Sequence, residues 1–214
     1  MIHKALYILL LPLALVFCAC SDEPERDYGD FLEAFVKNEG NKTLTYHAHD
    51  DSPLITLHAN TWDDEAVPVG DRAVIRYTVT DKISNYEYNV RIDDYAKIFN
   101  DVLRQADAPT IAGFESTPIT VTSLWRSGNY INLNSWVRIP EKTPQVLLVL
   151  DEATIEDAIP QVHLIYTVKG QEVYFERKCY ASFDITNLWT RETCQAIDIH
   201  VNDPNGTKVF RFEK

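Results

Sequence analysis

Apolar and polar residues alternate one for one through most of this chain, and long stretches with helical spacing are nearly absent, which commits it to strands. Across residues 71–80, Ala73, Ile75, Tyr77 and Val79 fall on one face, with Arg72, Arg76 and Thr78 towards the other. Tyr86, Tyr88, Val90 and Ile92 then alternate with Glu87, Asn89, Arg91 and Asp93. One apolar and one polar face per strand suits half-buried antiparallel sheets. Residues 31–37, 44–49 and 53–58 read as strands too. Asp94 is placed to cap one short helix over 95–103, in which Tyr95, Ile98 and Val102 share a stripe.

The second half offers seven further strands, at 119–125, 130–138, 145–150, 161–168, 172–185, 195–202 and 207–213. Turn residues separate several of them: Ser127-Gly128, Lys169-Gly170 and Asp203-Pro204-Asn205-Gly206, where Asn and Gly tolerate positive φ. Seven short strands of this kind predict a sandwich. Residues 104–118, with Ala-Asp-Ala-Pro, a glycine and Ser116-Thr117-Pro118, suit a connection between modules. The expected boundary lies near Pro109, giving a small β module over 31–108 and a β-sandwich over 109–214.

The first nineteen residues belong to neither module. Lys4 precedes an apolar run from Ala5 to Phe17, and Ala19 supplies the small residue before a cut. Pro12 interrupts that run, which stops short of the roughly 20 apolar residues that a membrane span needs. Residues 1–19 are therefore expected to be a removable leader, and Cys20 the acylated N-terminus of a lipoprotein, each buried methylene adding about 0.8 kcal/mol to anchoring. The acidic Ser21-Asp22-Glu23-Pro24-Glu25 opens a tether over 20–30 that is similar to the surface-export tag of lipoproteins in the Bacteroides group. The expected location is the outer membrane, facing outwards.

Cleavage after Ala19 leaves 19 basic residues against 32 acidic ones, a net charge of −13. Such a surface repels polyanions, and the Lys/Arg cluster that nucleic-acid binding requires is missing from the sequence. Attachment to a membrane must then come from the lipid. No nucleotide-binding loop, dinucleotide fingerprint, nucleophile elbow or Cys-His arrangement occurs, so no cofactor and no catalytic residue is expected. Asp63-Asp64-Glu65 superficially suits glycoside hydrolysis, but consecutive carboxylates cannot stand on opposite sides of a bond. An uncharacterised hydrolase is the least supported alternative.

Several stretches together resemble a known family. The leader and cysteine, Gly70-Asp71-Arg72-Ala73-Val74-Ile75-Arg76-Tyr77, Tyr88-Asn89-Val90-Arg91-Ile92, Gly128-Asn129-Tyr130-Ile131-Asn132-Leu133 and Phe183-Asp184-Ile185 resemble the NigD-like lipoproteins of Bacteroidales. The resemblance implies an N-terminal OB-like barrel joined to a C-terminal β-sandwich, in a family named after a bacteriocin-associated locus. It carries over no catalytic residue.

Three constellations remain. A hairpin turning at Ser127-Gly128 places Trp125 opposite Tyr130 and puts Ser123, Asn132, Asn134 and Trp136 on the same face, while Ile131, Leu133, Val137 and Ile139 face a core. The favoured reading packs that aromatic and amide face on the N-terminal module, helped by Ile119 and Val121. Its competitor is a platform for stacking on sugar rings. His47 and His49 are weak metal candidates, two residues apart on one strand near Asp50 and Asp51, whereas His163 and His200 are expected to stand alone. Cys179 is in phase with the inward residues of its strand and Cys194 is out of phase with its own, so a disulfide needs a bulge or an irregular start near residues 191–193. The expected function is that of a non-enzymatic binding or accessory lipoprotein with a protein or glycan partner.

Overall fold

The computed structural model describes residues 32–139, 144–168 and 175–214. The expected leader, Cys20, the acidic tether, Phe31 and the Lys169-Gly170 turn lie outside them. Five strands, β1 (Leu32–Gly40), β2 (Thr43–His47), β3 (Leu54–Ala59), β4 (Arg72–Ser84) and β5 (Glu87–Lys97), form a closed barrel in the order β1-β2-β3-β5-β4. β4 pairs back onto β1, from Leu32 opposite Tyr77 to Lys37 opposite Arg72. Closure removes the exposed edges that a five-stranded open sheet would leave. The alternation places Val36, Leu44, Leu57, Ile75, Tyr77 and Val90 inside, all buried. This is the small barrel that the sequence resemblance implied.

The sandwich holds β6 (Phe99–Val102), β7 (Arg104–Ala106), β8 (Thr120–Ser127), β9 (Tyr130–Ile139), β10 (Gln145–Asp151), β11 (Gln161–Thr167), β12 (Phe175–Asp184), β13 (Ala196–Asp203) and β14 (Gly206–Glu213). One sheet runs β14-β13-β11-β10-β7 and the other β6-β12-β9-β8. All seven strands expected in the second half are present. The sheets are mixed rather than purely antiparallel: β6 with β12, β7 with β10 and β11 with β13 are parallel pairs. Between them lies the larger core, including Ile131, Leu133, Leu148, Leu150, Leu164, Phe183, Ile197 and Val201. Each such side chain stabilises the fold by about 1.5–3 kcal/mol on burial.

The helix expected over 95–103 does not form. Ile75 pairs with Tyr95 and Ala73 with Lys97, so β5 runs on through the segment, and β6 then joins β12 with Phe99 beside Ala181. A ladder of tertiary backbone hydrogen bonds outweighs a weak local helical stripe. Helix appears instead in α1 (Ala108–Gly113), where the Asp107 side chain accepts from the Thr110 N–H and a proline sits in the first turn, and in α2 (Thr186–Trp189). Pro109, expected to mark a connection, thus opens a helix. Because β6 and β7 already belong to the two sandwich sheets, the chain enters the sandwich after Lys97, ahead of the expected boundary. Ile111 and Phe114, with Ala106, pack on Leu147, Val149 and Ile165, closing the outer face of the larger sheet.

Both remaining cysteines are free thiols buried in the sandwich core. Cys179 comes from β12, while Cys194 lies ahead of β13 rather than within it, so strand phase does not govern its direction. Burial pushes the Cys179 thiol up to about 11 and raises that of Cys194 as well. A buried thiol with a raised pKa is a poor nucleophile. Iodoacetamide at pH 8 should therefore leave both thiols unmodified in the folded protein and, without reductant, label both after denaturation; mass spectrometry reads the difference.

Candidate binding region at the barrel–sandwich junction

The polar face of β4 does not meet water at its first residue. Arg72 is only 4% exposed, because the smaller sandwich sheet covers it. Its Nη1 donates to Asn132 Oδ1 at 2.7 Å and to Ser182 Oγ at 2.5 Å, and Nη2 donates to the Phe35 carbonyl at 2.6 Å. The guanidinium also lies over the Tyr130 ring, 4.1 Å from its centre. Asn132 passes the network on through Nδ2 to Ser127 Oγ at 2.8 Å. The backbone of Arg72 is held by the Asn100 amide, which accepts from its N–H at 3.1 Å and donates to its carbonyl at 2.8 Å. Around this polar centre, Phe35 meets Trp125 edge to face, ring centres 4.8 Å apart, and Tyr180 at 5.8 Å. Barrel and sandwich are thus joined by one buried cation and an aromatic collar.

Every acceptor on Arg72 is neutral, and its Nε has no partner. Among the described residues no carboxylate comes within ion-pair distance of it. Burial pulls the guanidinium down to about 10, partly offset by Tyr130 and Asp184. A buried cation without a counter-ion costs several kcal/mol in desolvation.

A second buried arginine fastens the other side. Arg126, from β8, forms a fork on Asp51 with Nη1 to Oδ1 at 2.8 Å and Nη2 to Oδ2 at 2.7 Å, donates to the Gly128 carbonyl at 2.8 Å and stacks over Trp189. Asp51 belongs to the loop between β2 and β3. Asp50 in that loop bonds the hairpin through its backbone, N–H to the Arg126 carbonyl at 3.0 Å and carbonyl from the Gly128 N–H at 2.6 Å. The hairpin must be glycine at 128: its φ is +55°, and a Cβ would come within 2.5 Å of the His47 ring.

The hairpin turns at Gly128-Asn129, with Ser127 opposite Tyr130, rather than at Ser127-Gly128. Trp125 accordingly faces Asn132 and Ser123 faces Asn134, a slip that preserves which residues share a face. Trp125, Tyr130, Asn132 and Asn134 lie on that face as expected, and Trp125, Tyr130 and Asn132 are taken up by the junction. Ile119 and Val121 do not help. A bulge between Val121 and Ser123 reverses the phase, and both turn into the sandwich core. Trp136 stands apart at 45% exposure, in a groove of about 620 Å³ with Thr117, Pro118, Thr120, Glu176 and Pro204.

His47 and His49 are not brought together. β2 ends at His47, whose Nδ1 is 2.5 Å from the Ser52 carbonyl, and His49 lies exposed beyond the strand. Among the described residues no group of three or more His, Cys, Asp or Glu is placed to hold a metal ion. His163 and His200 do not stand alone: adjacent on β11 and β13, their rings stack 4.9 Å apart at 18°. Burial and the neighbouring imidazole lower His163. Asp63 accepts from the Glu65 and Ala66 N–H groups and Asp64 from Asn38 Nδ2, so that acidic run builds its own loop. The sequence reading missed Arg72, Arg126, Asp51 and Ser182. The alternation marks Arg72 as outward-facing but contains nothing about what covers it.

Arg72→Met should strand the Asn132, Ser182 and Phe35 acceptors, a cost that exceeds the desolvation relieved by removing the charge, and destabilise the protein by about 3 kcal/mol, read from denaturant midpoints. The Arg126 hydrogen bonds hold the Asp51 carboxyl below its usual 3.8. A depressed carboxyl contributes stability above its unfolded-state value, and that contribution is lost as pH falls through the folded value. Asp51→Asn should therefore flatten the acid side of a melting-temperature profile below about pH 4. Asp51 is mostly exposed, so the neutral-pH midpoint should move little.

The fold has close counterparts among solved structures. A protein of unknown function from Bacteroides vulgatus matches at TM-score 0.67 and 17% identity, over 86% of this chain and 90% of its own. A NigD-like immunity protein from Bacteroides caccae matches at 0.57 and 18%, over 86% and 93%. A "putative lipoprotein" from Bacteroides fragilis matches at 0.59 and 16%, over 85% and 97%. No curated protein matches the sequence. At these identities the likeness establishes the fold. The NigD-like C-terminal beta sandwich domain model matches residues 103–213, which span β7 to β14. On that match over more than half its length, the chain belongs to the NigD-like family.

Proposed function

We propose that the protein is a lipid-anchored, non-enzymatic accessory protein of the outer membrane that faces outwards and works by binding a partner protein, in the manner of an immunity factor against a bacteriocin. The observation that carries this reading is the junction itself. Two buried arginines tie the barrel to the sandwich, Arg72 through Asn132 and Ser182 and Arg126 through Asp51. Such a body presents surfaces from two modules in fixed relation, as recognition without large rearrangement requires. The leader and Cys20 supply the anchor, and the names of the Bacteroides caccae and Bacteroides fragilis neighbours point the same way.

A second reading has its own observation. Trp136 is exposed in a groove whose walls mix Thr117 and Thr120 hydroxyls, the Glu176 carboxylate and two prolines. An aromatic ring beside polar groups suits stacking on a neutral sugar. On this reading a glycan array gives saturable binding that Trp136→Ala removes and Trp125→Phe retains.

For the first reading, a deletion strain challenged with supernatants of bacteriocin-producing Bacteroides should die at lower doses than its parent. Reintroducing the gene should restore protection, and Cys20→Ala should neither incorporate labelled palmitate nor protect. Equal survival of parent and deletion strains across producing strains, or unchanged palmitate labelling in Cys20→Ala, contradicts the reading.

A further inference from the structure

The outer face of the larger sandwich sheet brings two imidazoles together. β11 and β13 run parallel with His163 in register with His200, and their neighbours Val162, Leu164, Ile199 and Val201 fill the core, so both rings stand on the opposite face. Both residues are half-buried. The ring centres lie 4.9 Å apart with the planes 18° from parallel. Two imidazolium ions at that separation repel, so the stack favours neutral rings, each of which carries one lone pair.

A neighbouring side chain fixes which nitrogen of His200 holds that lone pair. Gln161, on the same face of β11, donates through Nε2 to the Ile159 carbonyl at 2.8 Å, which leaves its Oε1 to face His200 Nε2 at 2.7 Å. Oε1 only accepts, so Nε2 carries the proton and Nδ1 is bare. Metal-ligating histidines are held in this way, one ring N–H donating to a fixed oxygen so that the other nitrogen is left for the ion. Among the described residues the His163 ring has no hydrogen-bond partner. It turns about its Cβ–Cγ bond without moving its centre.

We propose that His163 and His200 together bind one divalent transition-metal ion, with Zn²⁺ as the type and water completing the coordination. With Zn–N bonds of about 2.0–2.1 Å and near-tetrahedral angles, two imidazoles on one ion hold their ring centres about 5 Å apart. The parallel register of β11 and β13 presets that spacing, and only the His163 ring has to turn. Two nitrogen ligands select Zn²⁺ and its neighbours over Mg²⁺ and Ca²⁺, which take oxygen. The surrounding charge favours a dication. The Asp151 carboxylate, from neighbouring β10, acts on His163 through space, while Arg104 and Arg211 on the edge strands are each engaged by an aspartate, Asp101 and Asp198. This site stands independently of the functional reading above, since neither immunity nor glycan binding requires it.

The test is a titration of the full-length protein in neutral detergent with zinc chloride against magnesium chloride, followed through the imidazole ¹⁵N resonances. Zinc should move the His163 and His200 ring nitrogens along one saturable curve, with Nδ1 as the ligating atom of His200, and magnesium should move neither. His163→Gln should leave the His200 ring unresponsive over the same range, its metal-free unfolding midpoint serving as the control for folding. Gln161→Leu keeps both ligands but removes the acceptor on His200, and should weaken zinc about tenfold; Gln161→Glu retains an acceptor there and should bind at least as tightly as the parent. Rings that ignore zinc, separate curves for the two rings, or an equal response to magnesium overturn the site. So does an unchanged His200 response in His163→Gln, or parental affinity in Gln161→Leu.

Discussion

The guanidinium of Arg72 occupies a position where water cannot follow it. It leaves the outer wall of the barrel and enters the polar outer face of a sandwich sheet, where Asn132 and Ser182 wait as acceptors. Much else is arranged around this contact. Asn132 is oriented by Ser127, Asn100 grips the Arg72 backbone from the first strand of the sandwich, and Phe35, Trp125 and Tyr180 exclude solvent around it. Unpaired in a low-dielectric setting, each of these polar groups is expensive; paired, they fix one orientation of the two modules. The Arg126–Asp51 fork acts differently. Its carboxylate is largely exposed, so it adds alignment more than energy.

Much of the fold was legible because period-two patterning survives in both modules. The turn after Asp203, the inward face of β9 and the seven strands of the second half follow directly from alternation and turn chemistry. The misread segments are those where a long-range partner decides. Residues 95–103 carry a plausible helical stripe, yet Val74 and Ala181 supply strand partners that a local reading cannot detect. Val121 turns to the face opposite the one alternation predicts because a single bulge reverses the phase. Cys194 lies in a turn, where alternation has no force.

The site was legible in part. Trp125, Tyr130, Asn132 and Asn134 share a face because side chains alternate, and a shift of the hairpin by one residue left that sharing intact. What covers the face was open, and the barrel provides the cover over its upper half. Trp136 escapes because the barrel does not extend so far along the sheet. The arginines that make the junction were hidden for a simple physical reason: a polar residue on a polar face reads identically whether it meets water or another module's polar side chains.

That the barrel and the sandwich form one body is the claim from which these conclusions follow, and differential scanning calorimetry tests it most directly. The account predicts a single reversible transition whose calorimetric and van 't Hoff enthalpies agree, since modules that share a buried cation cannot unfold separately. Two resolved transitions, or a calorimetric enthalpy near twice the van 't Hoff value, would contradict it.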